Sequence, residues 1–219
     1  MSIEYKLRTN ETEEEFRVGS VEEVISNLVK VNPGQMSFDE YLYIFNLIQS
    51  KNKPNVLIFG IGKDSGLWWS ANNGGKTIFL EDNLIWIQSV RQGLNQVGVD
   101  IDTRPISYTG IGYDAVSLLE DYKNGSDNLR VDLPNDIRDI NWDIILVDAP
   151  AGYGNDMPCR MKSIYESYEL SNDSTDILVH DCEREIEDMY ITYFFRDHIL
   201  LKEFNDGKNG ELKHFRKSN

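Results

Sequence analysis

Four short groups of residues carry most of the chemistry available to this 219-residue chain: Gly60-Ile-Gly62-Lys63-Asp64-Ser65, Glu81-Asp82, Asp148-Ala-Pro-Ala-Gly-Tyr153 and His180-Asp181-Cys-Glu-Arg184. A Gly-x-Gly turn lets backbone approach a ligand closely and aims the amides of a following helix at it. An acid about twenty residues further on can accept hydrogen bonds from both hydroxyls of a ribose, so the first two groups together indicate a nucleoside-containing cofactor. Glu81 is the expected ribose ligand and Asp82 the second choice.

A dinucleotide fingerprint would require Gly-x-Gly-x-x-Gly to cradle a pyrophosphate. Here Ser65 stands in the third glycine position, with Gly66 one step late, and Asp64 puts a carboxylate where the pyrophosphate would sit. That argues against NAD and suits a cationic sulfonium attached to an amino acid. Asp148 and Asp181, at the ends of neighbouring strands, could bind a divalent cation between them or supply a base, with His180 a second base candidate.

These groups need strands that end where they begin. Val56-Leu-Ile-Phe59 is an apolar run of strand length leading into Gly60, as in a buried parallel strand. Thr77 to Leu80 is a second, stopped by Glu81-Asp82; Val99 to Ser107 reads as a third, Asp143 to Val147 as a fourth and Asp176 to Val179 as a fifth. Helices are expected over Ile85 to Leu94, Ala115 to Tyr122, Met161 to Leu170 and Glu183 to Phe195. Before the sheet, Ser20 with Glu23 and Ser37 with Glu40 are capping boxes that open two amphipathic helices, separated by Asn32-Pro-Gly34. Ile199 to Phe204 and Glu211 to Phe215 form a hairpin around a Gly/Asn/Asp turn, adding an antiparallel strand at one edge. The pattern is a doubly wound α/β sheet with its ligands at the carboxyl ends of the strands. Residues 1–36 form an N-terminal arm and helix, and 37–219 a single globular domain. One of Trp68 and Trp69 is assigned to the core and the other to the cleft. His198 and His214, in the hairpin, are assigned edge or core roles.

With 37 acidic against 22 basic residues the formal charge is −15, which would repel a phosphate backbone, and no basic stripe interrupts it, so nucleic acid is not an expected partner. Glu11-Thr-Glu-Glu-Glu15 reads as a solvated arm or helix start. Cys159 and Cys182 have neither pairing nor metal-ligand spacing, which points to a reducing compartment. No apolar run approaches the roughly 18 residues a bilayer span needs, and a cytoplasmic protein without a membrane span is the expectation.

Several motifs in order resemble the plant glucuronoxylan 4-O-methyltransferase and irregular-xylem family. They are Val56 to Gly62 with Asp64, Ser65 and Trp68; Asn72 to Glu81; Trp142 to Pro150 with Gly152, Tyr153, Pro158, Arg160, Met161, Ile164 and Tyr165; Thr175 to Asp181 with Arg184 and Glu187; and His214-Phe215. Cys159 stands where that family usually has glycine. The resemblance implies a Rossmann-like class I methyltransferase fold, S-adenosylmethionine as cofactor and methyl transfer to a sugar hydroxyl of a glycan or nucleotide sugar. It further implies that Gly60, Gly62 and Asp64 hold the methionine end, Glu81 the ribose, and Asp148 faces the methyl, with Ser65 and Asp82 also assigned to the cofactor. Tyr153, Arg160 and Arg184 are assigned to the acceptor, either arginine being able to clamp a uronate. Asp148, His180 and Asp181 are assigned to catalysis, directly or through a cation on Asp148 and Asp181. The rival readings are a cation-dependent O-methyltransferase of a small phenolic acceptor and a non-catalytic glycan-assembly protein of the same fold.

Overall fold

Alternation along the strands decides which helices cover each face of the sheet. The computed structural model describes residues 2–4, 17–72 and 74–218; the acidic run Glu11 to Glu15 lies outside them. A two-stranded antiparallel pair, β1 (Ser2–Glu4) and β2 (Arg17–Ser20), leads into α1 (Val21–Val31) and α2 (Phe38–Ser50). Both helices start on the expected capping boxes. Ser20 Oγ accepts from the Glu23 amide at 3.3 Å while Glu23 Oε2 accepts from the Ser20 amide at 2.8 Å, and Ser37 with Glu40 repeats the arrangement.

The domain continues as β3 (Asn55–Phe59), α3 (Ser65–Ala71), β4 (Lys76–Glu81), α4 (Leu84–Gln96), β5 (Asp102–Pro105), α5 (Ala115–Lys123), α6 (Asn135–Arg138), β6 (Ile144–Val147), α7 (Met161–Glu169), β7 (Asp176–Val179), α8 (Glu185–Phe194), β8 (His198–Asn205) and β9 (Glu211–Lys217). The strands order as β5-β4-β3-β6-β7-β9-β8, parallel except at β9, which is antiparallel to both its neighbours. Val56 and Ile58 face the side chains of α1, α2 and α3, including Ile25, Ile44 and Trp68. Leu57 and Phe59 face the opposite way, onto Leu119, Ile164, Tyr190 and Phe194 of α5, α7 and α8.

Two elements depart from the sequence pattern. The hairpin forms, but its antiparallel strand β9 lies inside the edge rather than at it: β9 is mostly buried, so it takes two neighbours, while the largely exposed β8 takes the edge. The third strand is shorter than the expected Val99 to Ser107: only Asp102 to Pro105 find partners on β4. Among the described residues no helix is long and apolar enough to cross a membrane.

The end of the sheet opposite the strand-end acids is held by Asp176, the fully buried first residue of β7. Its Oδ1 accepts from His214 Nε2 and Arg216 Nε, both at 2.9 Å, and Lys51 Nζ lies 2.8 Å from Oδ2. Tyr43 OH is 2.7 Å from His214 Nδ1, which ties α2 to β9 and, through Asp176, to β7. Burial would raise the Asp176 carboxyl, but His214, Lys51 and Arg216 outweigh it and hold the group well below the usual range. Asp176→Asn, which leaves Lys51, Arg216 and the His214 ring without their buried carboxylate partner, should lower the unfolding free energy by about 3 kcal/mol at neutral pH. The carboxylate's contribution is present above the unfolded pKa of about 4 and is lost as pH falls below it, so urea unfolding curves of variant and wild type should converge in acid.

Candidate active site

Parallel register brings the glycine turn and the strand-end acids to one level. Phe59 pairs with Val147 and Val147 with Val179. One more rung on each pair, Asp148 N to Phe59 O at 2.9 Å and His180 N to Val147 O at 3.0 Å, sets Gly60, Asp148 and His180 side by side. On the other flank Gly60 N donates to Leu80 O at 2.7 Å, which brings Glu81 alongside.

A cleft of about 550 Å³ opens at these strand ends. Its lining takes Gly60, Gly62, Asp64, Ser65, Glu81 and Asp82 from the first two strand ends, and Asp148, Tyr153, Arg160, Asp181 and Arg184 from the next two. Of the residues assigned in sequence to cofactor, acceptor or catalysis, only His180 lies outside that lining. Gly60 has φ +117°, and a Cβ there would stand 3.1 Å from Ala149 Cβ and 3.3 Å from Asp148 O, so glycine lets the two strand-end turns touch. Ser65 Oγ accepts from the Gly62 amide at 2.9 Å and closes the turn.

Two carboxyls in the first half of the cleft are shifted toward neutrality. Asp64, at the head of α3, is pushed up to about 7 by burial and then by the charge of Asp148. Glu81 is pushed up to about 7 by burial, although its oxygens accept from the amides of Asn83 at 2.9 Å and Ile61 at 3.2 Å. A carboxylate has about four acceptor positions, so two remain for ligand hydroxyls.

The second half is a buried charge cluster. Arg160 is almost completely buried at the N-cap of α7; its Nη2 lies 3.0 Å from Asp148 Oδ1 and also contacts Asp181 Oδ2. Its Nε donates to Pro150 O at 3.3 Å and its Nη1 to His180 O, so all three nitrogens are engaged within the protein. His180 Nε2 is 3.0 Å from the Asn209 carbonyl, which can only accept, while Nδ1 faces Asp148 at 3.3 Å and Asp181 at 3.5 Å. Burial would lower the imidazole, but the two carboxylates outweigh it and raise it to about 10. Asp181, with φ +62°, would be raised by burial, yet His180, Arg160 and Arg184 bring it down to about 2.

The two carboxylates thus favour the imidazolium form of His180, in which both ring nitrogens carry protons, and the base role expected for it does not match these surroundings. The ligand atoms of Asp148, His180 and Asp181 lie within 4.8 Å of one another, a spacing that can hold a cation. The set does not fit a divalent cation in this arrangement, because the Arg160 guanidinium already bridges the two carboxylates that would have to hold it.

Trp68 serves both as core and as cleft wall, whereas Trp69 is exposed and outside the lining. Sequence reading missed Trp86, whose Nε1 donates to Ile61 O at 2.6 Å and secures the glycine turn. It also missed Asn32 and Gln35, which line the cleft from the α1–α2 connection. Asn83, two residues past Glu81, carried the available signal: it caps α4, accepting from the Trp86 amide at 3.0 Å.

The profile of the IRX15/IRX15L/GXM family matches residues 39–215. The chain belongs to this family. Glucuronoxylan 4-O-methyltransferase 3 of Arabidopsis thaliana is 33% identical to it over 193 residues, covering 83% of this chain and 63% of the relative. Arabinogalactan O-methyltransferase 2 of the same plant is 30% identical over 202 residues, covering 83% and 66%. The chain thus spans somewhat under two-thirds of the length of these family members. Among solved structures, an O-methyltransferase from Bacillus cereus in complex with SAH superposes with a TM-score of 0.56 at 14% identity, covering 91% of both chains. An SAH-bound Podospora anserina methyltransferase gives 0.57 at 13%, covering 92% and 89%. The family member has the class I methyltransferase fold.

The raised carboxyls have a measurable consequence. A carboxyl titrating near 7 in the folded state and near 4 unfolded binds more protons when folded, so it costs stability as pH rises between those values. The melting temperature of the ligand-free protein should carry a falling component from pH 5 to 8, and Asp64→Asn should flatten it; an identical pH slope in the variant would disprove the assignment.

Proposed function

We propose that this chain is an S-adenosylmethionine-dependent O-methyltransferase acting on a hydroxyl of a uronic-acid-bearing glycan. The observation that carries the reading is the place of Asp148, in register with the glycine turn and at the junction between the Asp64–Glu81 half of the cleft and the half bounded by Tyr153 and Arg184. The names of the glucuronoxylan and arabinogalactan relatives support a sugar acceptor.

The first half fits the cofactor: Asp64 is a buried carboxyl able to pair with an amino-acid ammonium, the turn at Gly60 admits close approach, and Glu81 is held by two amides to receive ribose hydroxyls. When bound, S-adenosylmethionine supplies an activated methyl on a sulfonium. The chain's own residues then have to align the acceptor oxygen, exclude water and accept its proton. Asp148 takes that proton. Arg160 and His180 stand against its Oδ1 and fix its direction, leaving the second oxygen to accept from the hydroxyl.

Of the two arginines considered for the acceptor carboxylate, Arg160 is committed to protein groups. Arg184 stands at the cleft edge, about a quarter exposed, with Nη1 donating to Ala151 O at 2.7 Å and Nη2 2.9 Å from Asp181 Oδ2. Its fork suits a uronate bound beside it.

Incubation with labelled S-adenosylmethionine and a panel of glycans should transfer label to uronate-bearing members; cofactor binding without transfer to any glycan would overturn the reading. Asp148→Asn should lower kcat about 10²- to 10⁴-fold while calorimetry still detects SAH. Arg184→Leu should raise KM for a uronate acceptor by about tenfold, the worth of one charge-assisted pair, with a smaller effect on the corresponding neutral sugar. Equal effects on both acceptors would remove Arg184 as the clamp.

A further inference from the structure

Two tyrosines on adjoining loops stand almost fully in solvent beside the cleft: Tyr113 is 74% exposed and Tyr153 75% exposed. Neither is on a free-hanging loop. Tyr113 sits in a 3-10 turn, Gly112–Asp114, after β5, and Tyr153 follows β6, so both leave the carboxyl end of the sheet where the cleft opens. The Gly112 amide donates to Met157 O at 3.0 Å and the Tyr113 amide to Asn155 O at 2.8 Å, tying the turn to the segment that carries Tyr153. A Cβ on Gly112 would stand 2.7 Å from Asn155 Cα and 2.9 Å from Cys159 Sγ, so the two segments are in backbone contact. Tyr153 is held in turn from the cleft side, where the Arg184 guanidinium lies 5.9 Å from its ring centre and Arg184 Nη1 bonds Ala151 O.

An exposed aromatic ring gives up the burial that normally stabilises it, and two such rings on braced loops beside a ligand cleft mark an interaction site. Tyrosine offers an apolar face and a hydroxyl at its edge, matching a pyranose, which presents C–H groups on its faces and hydroxyls around its rim. We propose that Tyr113 and Tyr153 form an outer carbohydrate subsite. It takes the sugar ring next to the one whose hydroxyl faces Asp148, so that the acceptor is read as a chain rather than as a single sugar. This rests on the glycan reading above for the identity of the inner sugar. Tyr153 lines the cleft and bridges to Arg184; Tyr113 lies outside the lining and extends the contact one ring outward.

Calorimetric titration of the SAH-loaded protein with free glucuronic acid and with an oligosaccharide bearing a glucuronic acid branch tests the subsite. The oligosaccharide should bind at least about tenfold more tightly. Tyr113→Ala should cut that ratio about tenfold, and Tyr113→Phe, which keeps the ring face, should retain it. Equal affinity of wild type for the two probes, failure to bind either, or an undiminished ratio in Tyr113→Ala would each overturn the subsite. Tight oligosaccharide binding that depends on Tyr113, without transfer of labelled methyl, would instead leave the subsite standing and sink the methyl-transfer reading.

Discussion

The candidate site depends on a guanidinium buried between two carboxylates. Arg160 joins Asp148 at the end of β6 to Asp181 at the end of β7, and its own backbone amide is held by Glu187 Oε1 at 3.1 Å. A charge taken out of water costs several kcal/mol unless it is paired and hydrogen-bonded, so the cluster persists only with each member in place. Two strand ends, α7 and α8 are thereby locked together around Asp148. Within the cluster the carboxylates of Asp148 and Asp181 favour the charged form of His180, while His180, Arg160 and Arg184 hold the Asp181 carboxyl low.

The two ends of the sheet use related devices for different ends. At the amino end of β7, Asp176 gathers Lys51, His214 and Arg216 and fastens the last strand and α2 to the framework. At the carboxyl end Asp181 gathers His180, Arg160 and Arg184, but there the cluster lines a cleft. The C-terminal hairpin serves both: His214 of β9 reaches Asp176, and the Asn209 carbonyl of its turn reaches His180. The β8–β9 hairpin thus positions groups that lie at opposite ends of the inner strand β7.

What was legible in the sequence follows what local pattern encodes. The capping boxes at Ser20 and Ser37, the apolar runs of β3, β6 and β7, and the acids and glycines that end them are each set by neighbours within a few residues, and all were readable. The inner position of β9 was not, because it depends on comparing the burial of two strands across a turn. Nor was the charge that His180 favours, which is set by Asp148, 32 positions away in the chain, together with its neighbour Asp181. The choice between Arg160 and Arg184 had the same character: both are helix-start arginines in sequence, and only the packing of α7 and α8 shows that Arg160 is buried with all three nitrogens engaged while Arg184 keeps part of its side chain exposed. Tyr113 carried no signal at all until the loop after β5 met the loop after β6.

Charge explains why acceptor recognition would combine an arginine with exposed rings. The chain carries a net −15, which repels a uronate-bearing chain at long range. At physiological ionic strength that field fades beyond roughly 8 Å, so attraction has to come from contact. Arg184 can pair with one carboxylate, but it already shares Asp181 and gives only part of its charge to a ligand. Apolar stacking on tyrosine is indifferent to the sign of the surrounding field. A site in an acidic protein that must hold an acidic glycan gains more from sugar faces on aromatic rings than from further cations, each of which the surrounding carboxylates would neutralise.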